Sequence, residues 1–265
     1  MAISDLQDFA GPRRKDERIA WPGGFGAVTR RLAEILEKRP ERLLTDCTVV
    51  AVSNEPRAVY VTCMRGGRLE TITARAAIMA TPAFINARLI VGLPQAQLQA
   101  MRAIRYAPYL VVNLIYNSPV FDQGYDTWCP GQTFSDVIVA DWMLRKQPGY
   151  TPRHAILTCY TPLREADRSR LASDAATIEI AQQVVRDVQK TVPNAQIDPI
   201  EVHVYRRGHP IFMATPGTFT QILPSVRKPH GRVFFAHTDS QGPVSSVEGA
   251  LHAAERAVAE AARTR

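Results

Sequence analysis

The sequence predicts two portions: an α/β part assembled from both chain ends, and an α+β part inserted between them. Three observations carry this reading. The apolar runs AAIMA at 76–80 and VFFA at 233–236 have the look of short buried strands that pair in one sheet, yet they lie far apart in the chain. The second run stops at a polar loop that feeds an Ala-rich helix, the pattern of a βα junction. Between them, long strands accompany one clear amphipathic helix, so the middle leaves the first sheet and returns to it. The predicted division is 1–85 with 223–265 as one domain, and 86–222 as the other. A chain of 265 residues with 46% apolar and 22% charged content can build such cores.

The elements follow in order. Residues 1–20, MAISDLQDFAGPRRKDERIA, are polar and read as a loosely packed lead-in. Gly23 and Gly24 make a turn, and a helix is predicted over about Phe25 to Lys38. Its apolar positions Val28, Leu32, Ile35 and Leu36 share a face, and Pro40 closes it. LLTDCTVVAVS is a β-branched strand. AVYVTCMRGGRLETITA is a hairpin around Gly66-Gly67. RAAIMATPAF is a short strand of the fully buried kind, ending at Thr81-Pro82 because proline stops the ladder. A helix is predicted at 95–105, then the strand YLVVNLIYNSPVF. Residues 119–153 read as loop with one short strand near DVIVADWM. HAILTCYTP is a strand, and 172–191 is an amphipathic helix with Ser173 as N-cap. PIEVHVYRRGHP is a strand leading into an irregular segment, and RVFFAHT precedes the final helix.

Composition excludes several classes. Net charge is +7, but the arginines are scattered among acidic residues, so there is no concentrated nucleic-acid footprint. No run is apolar enough to span a bilayer, and the lead-in has no apolar signal region, so a cytoplasmic protein is expected. Cys47, Cys63, Cys129 and Cys159 form no C-x-x-C pair and read as buried, reduced thiols. The histidines lack ligand spacing, so no metal site is predicted. His237, Asp239 and Ser240 crowd one loop without a nucleophile elbow, which argues against a hydrolase.

The terminal junction carries the most chemistry. Ser245 and Ser246 are N-cap candidates, and Glu248 falls in the first helical turn. A helix start leaves backbone N–H groups without partners, which suits an anionic ligand group. Asp239 accepts from ligand hydroxyls or from loop amides, and it repels phosphate unless something bridges the two. The plainer alternative is an ordinary capped βα junction.

The pattern GRVFFAHTDSQGPVSSVEGALHAAERAVAEA resembles the C-terminal signature of the flavin-containing amine oxidase superfamily. That superfamily includes monoamine oxidases, protoporphyrinogen oxidases and phytoene-desaturase-like enzymes. WPGGFGAVTRRLAEIL is similar to its Gly-Gly helix entry. TVVAVS, the hairpin and AAIMATP are similar to its crossover strands, and YRRGHPIFMATPG resembles the segment before its last strand. These motifs occur in family order over most of 20–262.

The resemblance implies an FAD-dependent oxidoreductase with a partial, Rossmann-like FAD-binding domain and an inserted mixed-sheet substrate domain. It places Val49 near the adenine, Ala80, Thr81 and Pro82 at a strand end near the cofactor, and Asp239 near the ribityl-phosphate region. Ser246 and Val247 would lie under the flavin ring, and Tyr205, Arg206 and His209 would face a small organic substrate. Each also has a plainer reading, as a core strand residue, a loop cap, an N-cap or a turn residue. The family's G-x-G-x-x-G segment has no counterpart here: Gly24-Phe25-Gly26 is followed by Thr29 and preceded by no strand. No lysine lies near Val111, where many amine oxidases place one, and the aromatic pair of monoamine oxidases falls near Pro210 and Ser246. Catalytic residues are therefore not assigned. Two functions stay open: a flavin-dependent oxidoreductase or its C-terminal component, and a non-catalytic binding subunit that needs a partner chain carrying the dinucleotide motif.

Overall fold

The turn at Gly23, with φ 83°, opens helix α1 (Gly24–Glu37). In this computed structural model the described residues are 23–39, 43–242 and 245–264. The expected lead-in at 1–20 and the expected helix stop at Pro40 lie outside them. Helix α1 has no buried residue; Phe25, Leu32 and Ile35 stand exposed along its apolar face.

The chain divides into two compact units. One holds Leu36–Arg105 and Ile211–Arg265; the other holds Tyr106–Pro210 with the α1 residues before Leu36.

In the first unit, β1 (Cys47–Asn54) pairs antiparallel with β2 (Val59–Arg65), with a bulge between Val49 and Ala51. β2 pairs antiparallel with β3 (Arg68–Ala74) around Gly66 and Gly67. Their φ values of 54° and 76° are the two positive angles that a two-residue hairpin turn requires. A parallel strand β5 (Ile90–Val91) completes the sheet in the order β3-β2-β1-β5.

The second sheet of this unit joins the chain's two ends. β4 (Ala77–Met79) runs parallel to β11 (Val233–Phe235), with Met79 opposite Phe235. This is the pairing predicted from the two apolar runs. β4 differs from expectation in two ways. It ends at Met79, before Thr81, and its Ile78 is exposed while Met79 is buried. An apolar run shows its hydrophobicity but not which of its faces a neighbour covers.

Pro82 does more than stop a ladder. It is the N-cap of α2 (Ala83–Leu89), which the sequence reading did not anticipate, and Pro94 likewise precedes α3 (Gln95–Ala103). Proline suits a helix start because the N–H it lacks has no partner there anyway. α3 lies against α5 (Leu223–Val226), the short helix that continues a π turn over Thr218–Ile222. Gln97 Nε2 ties that contact by donating to Lys228 O at 2.6 Å. Asn54 Oδ1, at the end of β1, accepts from Arg232 N at 2.7 Å and so fixes the turn that enters β11.

The second unit is a five-stranded sheet in the order β10-β6-β9-β8-β7. β6 (Arg105–Tyr116), β9 (Ala155–Pro162) and β8 (Asp136–Val139) pair antiparallel, and β7 (Asp126–Trp128) adds an edge within the segment expected to be mostly loop. Strict alternation along β6 buries Leu110, Val112, Leu114 and Tyr116. These pack with Leu157 and Cys159 of β9 and with Ile180, Val184 and Val188 of α4 (Asp174–Thr191). Ser173 caps α4 as expected, its Oγ accepting from Ala176 N at 3.2 Å. β10 (Glu201–Met213) is longer than expected and runs through Pro210. It is an edge strand, where a missing N–H costs no ladder bond.

Candidate functional site

Parallel pairing of β4 and β11 brings two loops to one carboxyl edge. Ala236 N donates to Met79 O at 2.9 Å, which extends the pairing one residue past the strands. Beyond it the chain turns through a 3₁₀ segment, Thr238–Ser240, and reaches α6 (Val247–Ala262) after Ser246. On the β4 side, Ala80, Thr81 and Pro82 lead into α2. Thr81 is tied down by buried Asn86, whose Nδ2 donates to Thr81 O at 2.9 Å and whose Oδ1 accepts from Thr81 Oγ1 at 2.5 Å.

Asp239 joins the two loops. It is only 1% exposed, and its Oδ2 accepts from Ala83 N at 2.8 Å. That N–H belongs to the first residue of α2, so the carboxylate stabilises the positive end of that helix. Asp239 Oδ1 lies 3.0 Å from His237 Nδ1. Four of the residues singled out from the sequence, Ala80, Thr81, Pro82 and Asp239, are thus gathered at one place, and His237, read from the sequence only as a member of a crowded loop, joins them.

Ser246 caps α6: its Oγ accepts from Gly249 N at 3.1 Å. Val247 is exposed at the first helical position. Glu248 is held below the usual carboxylate range, first by its own backbone N–H, then by the Ser246 hydroxyl and by His252. A carboxylate from the chain therefore already sits at this helix start. Val49 is half-buried on β1, opposite Cys63, in the other sheet of the unit.

The second unit has its own array. One face of its sheet is sealed by α4; the opposite face carries two rows of cross-strand neighbours. Trp128, Asp136, Tyr160 and Val111 form one row, and Asp126, Ile138, Thr158 and Asn113 the next. Tyr109 and Tyr160 stand with ring centroids 5.5 Å apart. Burial pushes both phenols above their ordinary pKa, with Asp126 and Asp136 adding to the effect, so both remain protonated donors at neutral pH. A cavity of about 750 Å³, lined in part by Asp126, Trp128, Ser135 and Asp136, opens along the edge of this face. The sequence reading missed these residues. The signal was present in the alternation of YLVVNLIY and AILTCYTP: the odd-numbered residues of the first and the even-numbered residues of the second point away from α4.

The three residues read as substrate-facing lie on β10. Arg206 is committed to the Asp174 carboxylate and to Leu171 O at 3.3 Å. His209 packs edge-on to Tyr106 at 5.5 Å, and Tyr205 is exposed.

The paired strands β4 and β11, with the buried acid Asp239 at their carboxyl edge, belong to a mixed α/β fold. The sequence model of the family described as flavin containing amine oxidoreductase matches residues 1–262, and the chain belongs to that family. Over 258 residues it is 23% identical to oxidoreductase PigB of Serratia sp. (strain ATCC 39006), covering 88% of this chain and 36% of that protein. Cyclohexylamine oxidase from Brevibacterium oxydans IH-35A superposes with TM-score 0.76 at 21% identity, over 97% of this chain and 56% of that one. Putrescine oxidase in its putrescine-bound form superposes with TM-score 0.74 at 17% identity, over 91% and 53%. The chain thus spans about half the length of the solved structures it matches.

The family implies a flavin, and the carboxyl edge bears on whether this chain fits one. Ser245 Oγ, at the entry to α6, is buried and makes no hydrogen bond among the described residues. Ala80 is exposed at the edge, and His237 is partly exposed there. These groups fit a ligand with hydroxyl and anionic oxygens that runs along the edge. Among the described residues no glycine-rich loop follows a strand to cradle phosphates; Gly66 and Gly67 serve only the hairpin. The residues fit part of a flavin nucleotide. No helix among the described residues is long and apolar enough to cross a membrane.

Proposed function

We propose that the chain is the C-terminal component of an FAD-dependent oxidoreductase that takes hydride from a small organic substrate. Within it, 1–85 and 223–265 would form the partial Rossmann-like FAD portion and 86–222 the substrate portion. The observation that carries the reading is Asp239, buried between Ala83 N and His237 at the edge shared by β4 and β11. A buried carboxylate kept at a βα edge is more than an ordinary loop cap needs.

In this reading Asp239 orders the edge, and the exposed Ala80 with Thr81 and Pro82 borders the cofactor. Ser246 and Val247 present the start of α6 to the flavin, and Val49 meets the adenine through its backbone. When bound, the flavin supplies the redox chemistry. The protein's part is to bind and orient. The protonated phenols of Tyr109 and Tyr160 offer donors to a substrate, Asp126 and Asp136 offer acceptors, and Tyr205, Arg206 and His209 border the substrate side.

A segment carrying the dinucleotide motif would complete the FAD portion, either in the same polypeptide or in a partner chain. The exposed apolar residues Leu69 and Ile72 of β3 and Leu251 and Val258 of α6 support a need for such cover. They equally support the second reading, a non-catalytic subunit. A soluble cytoplasmic protein without nucleic-acid partners remains part of the proposal.

The test is the visible spectrum of the purified chain after incubation with FAD and desalting. Retained flavin bands that bleach on anaerobic addition of an oxidisable substrate support the enzyme reading. A protein that stays colourless even with the dinucleotide-binding half supplied in trans rules it out in favour of the subunit.

A further inference from the structure

The open face of the five-stranded sheet carries hydrogen-bond donors that the fold leaves unspent. Tyr109 and Asn113 of β6, with Thr158 and Tyr160 of β9, alternate with the residues packed on α4 and are half-buried. Asn113 stands opposite Thr158. Val111, between Tyr109 and Asn113 along β6, stands opposite Tyr160.

Thr158 Oγ1 donates to Asn113 Oδ1 at 2.9 Å. The carbonyl end of the amide is thereby held toward the neighbouring strand. The Nδ2 end, which can only donate, is turned away from it. Among the described residues, neither Asn113 Nδ2–H nor the hydroxyls of Tyr109 and Tyr160 have a hydrogen-bond partner. Burial, with Asp126 and Asp136 nearby, keeps both phenols protonated. Three half-buried donors thus share one strip of sheet, where water satisfies them until an acceptor replaces it.

The charges around the strip select that acceptor. An ammonium has three donors and no lone pair, so it offers Asn113 Nδ2–H nothing. A carboxylate or phosphate has lone pairs but meets Asp136, the direct neighbour of Tyr160 on β8, and Asp126 on β7 beyond Ile138. An uncharged oxygen satisfies the donors and escapes that repulsion.

We propose that Asn113 is a specificity-determining residue whose Nδ2–H donates to an uncharged carbonyl or hydroxyl oxygen of the substrate, beside the hydroxyls of Tyr109 and Tyr160. The substrate class is then a neutral, oxygen-bearing molecule and not a simple alkylammonium. Thr158 is the positioning residue, since its hydrogen bond fixes which end of the amide faces outward. This inference rests on the reading of this sheet as the substrate portion, and it deepens that reading by naming the group the face accepts.

The test is the ¹⁵N–¹H spectrum of the asparagine side-chain amides of the purified chain, titrated with acetophenone, 1-phenylethanol and 1-phenylethylamine. These share one skeleton, and at neutral pH only the amine is a cation. The expected result is a shift of the Asn113 amide with the ketone and the alcohol, each bound about fivefold or more tightly than the ammonium, the scale of one hydrogen bond. The tighter of the two names the functional group. Asn113→Asp keeps the shape but replaces the donor with an anionic acceptor, and is expected to reverse the order. Thr158→Val is expected to erase the preference and Thr158→Ser to restore it, whereas a merely structural Thr158 would change stability and leave the order alone. Equal affinities for all three probes overturn the inference. Tighter binding of the ammonium, with shifts on this face, also overturns it but leaves the substrate-portion reading intact. No shift on this face with any probe, up to its solubility limit, overturns both.

Discussion

The carboxylate of Asp239 accepts a 2.8 Å hydrogen bond from the backbone N–H of Ala83, 156 residues earlier in the chain. One buried side chain thereby holds together the two loops that leave β4 and β11. Asp239→Ala leaves the Ala83 N–H without this acceptor and removes the partner of His237. The expected loss of unfolding free energy is about 2–4 kcal/mol, the scale for losing a buried charged acceptor. Urea denaturation measures it, and FAD retention is expected to fall in the same variant. A variant as stable as wild type would show that Ala83 N–H finds water or another partner.

Gly231 sits at φ 58°, and a Cβ there would overlap the side-chain amide of Asn54. That amide is not free to move away, because its Oδ1 holds Arg232 N. Gly231→Ala is expected to cost about 2–4 kcal/mol from left-handed strain and overpacking together. Gly67→Ala has the strain but nothing within 4 Å of the added methyl, and is expected to cost only about 1 kcal/mol. Comparing the two denaturation midpoints separates overlap from backbone strain.

Asp187 on α4 takes in three donors: Thr133 N at 3.1 Å, Thr133 Oγ1 at 2.5 Å and Gln183 Nε2 at 2.8 Å. Burial pushes its pKa up, but these bonds with Lys190 outweigh burial and hold it below the ordinary 3.8. A depressed carboxylate contributes stability that is full above the unfolded-state pKa of about 3.9 and is lost as pH falls through the folded value. Asp187→Asn is therefore expected to be less stable at pH 7 and to lose less stability than wild type on acidification below about pH 4. Parallel acid-unfolding curves for the two proteins would remove Asp187 from this role.

The thiols divide by place. Cys63 and Cys159 are buried, while Cys47 and Cys129 are half-buried. Burial raises the Cys159 pKa, and contact with Cys47 and burial raise that of Cys63, so neither offers thiolate at neutral pH. Two thiols are expected to resist an aromatic disulfide reagent until the protein unfolds. Rapid reaction of all four in the native state would contradict the packing of β2 and β9.

The order of elements was legible because it rests on local patterns. Period-two alternation predicted β6 and β9, the double glycine predicted the β2–β3 hairpin, and Ser173 and Ser246 marked helix starts. The pairing of AAIMA with VFFA was legible because short apolar strands need each other. Helix α2 was not, since Pro82 is equally a ladder stop and a helix start, and only the chain after it decides. The exposure of Ile78 was not, because an apolar run does not say which of its faces a neighbour will cover.

The site shows the same split. Asp239 stood out as an acid after a strand, yet its partner is an amide 156 residues away that no spacing rule can reach. His237 looked like one member of a crowded loop until the fold set its Nδ1 against a buried carboxylate. Trp128, Asp136 and Tyr160 are neighbours only because β7, β8 and β9 pair in one register, and a one-residue slip would send each to the opposite face. The sequence by itself determined most of the helices and strands, the hairpin and the family resemblance, because hydrophobic period, capping and turn chemistry act over a few residues. Tertiary structure alone decided which carboxylate holds which amide, because hydrogen bonds and burial depend on distances that only the folded chain sets.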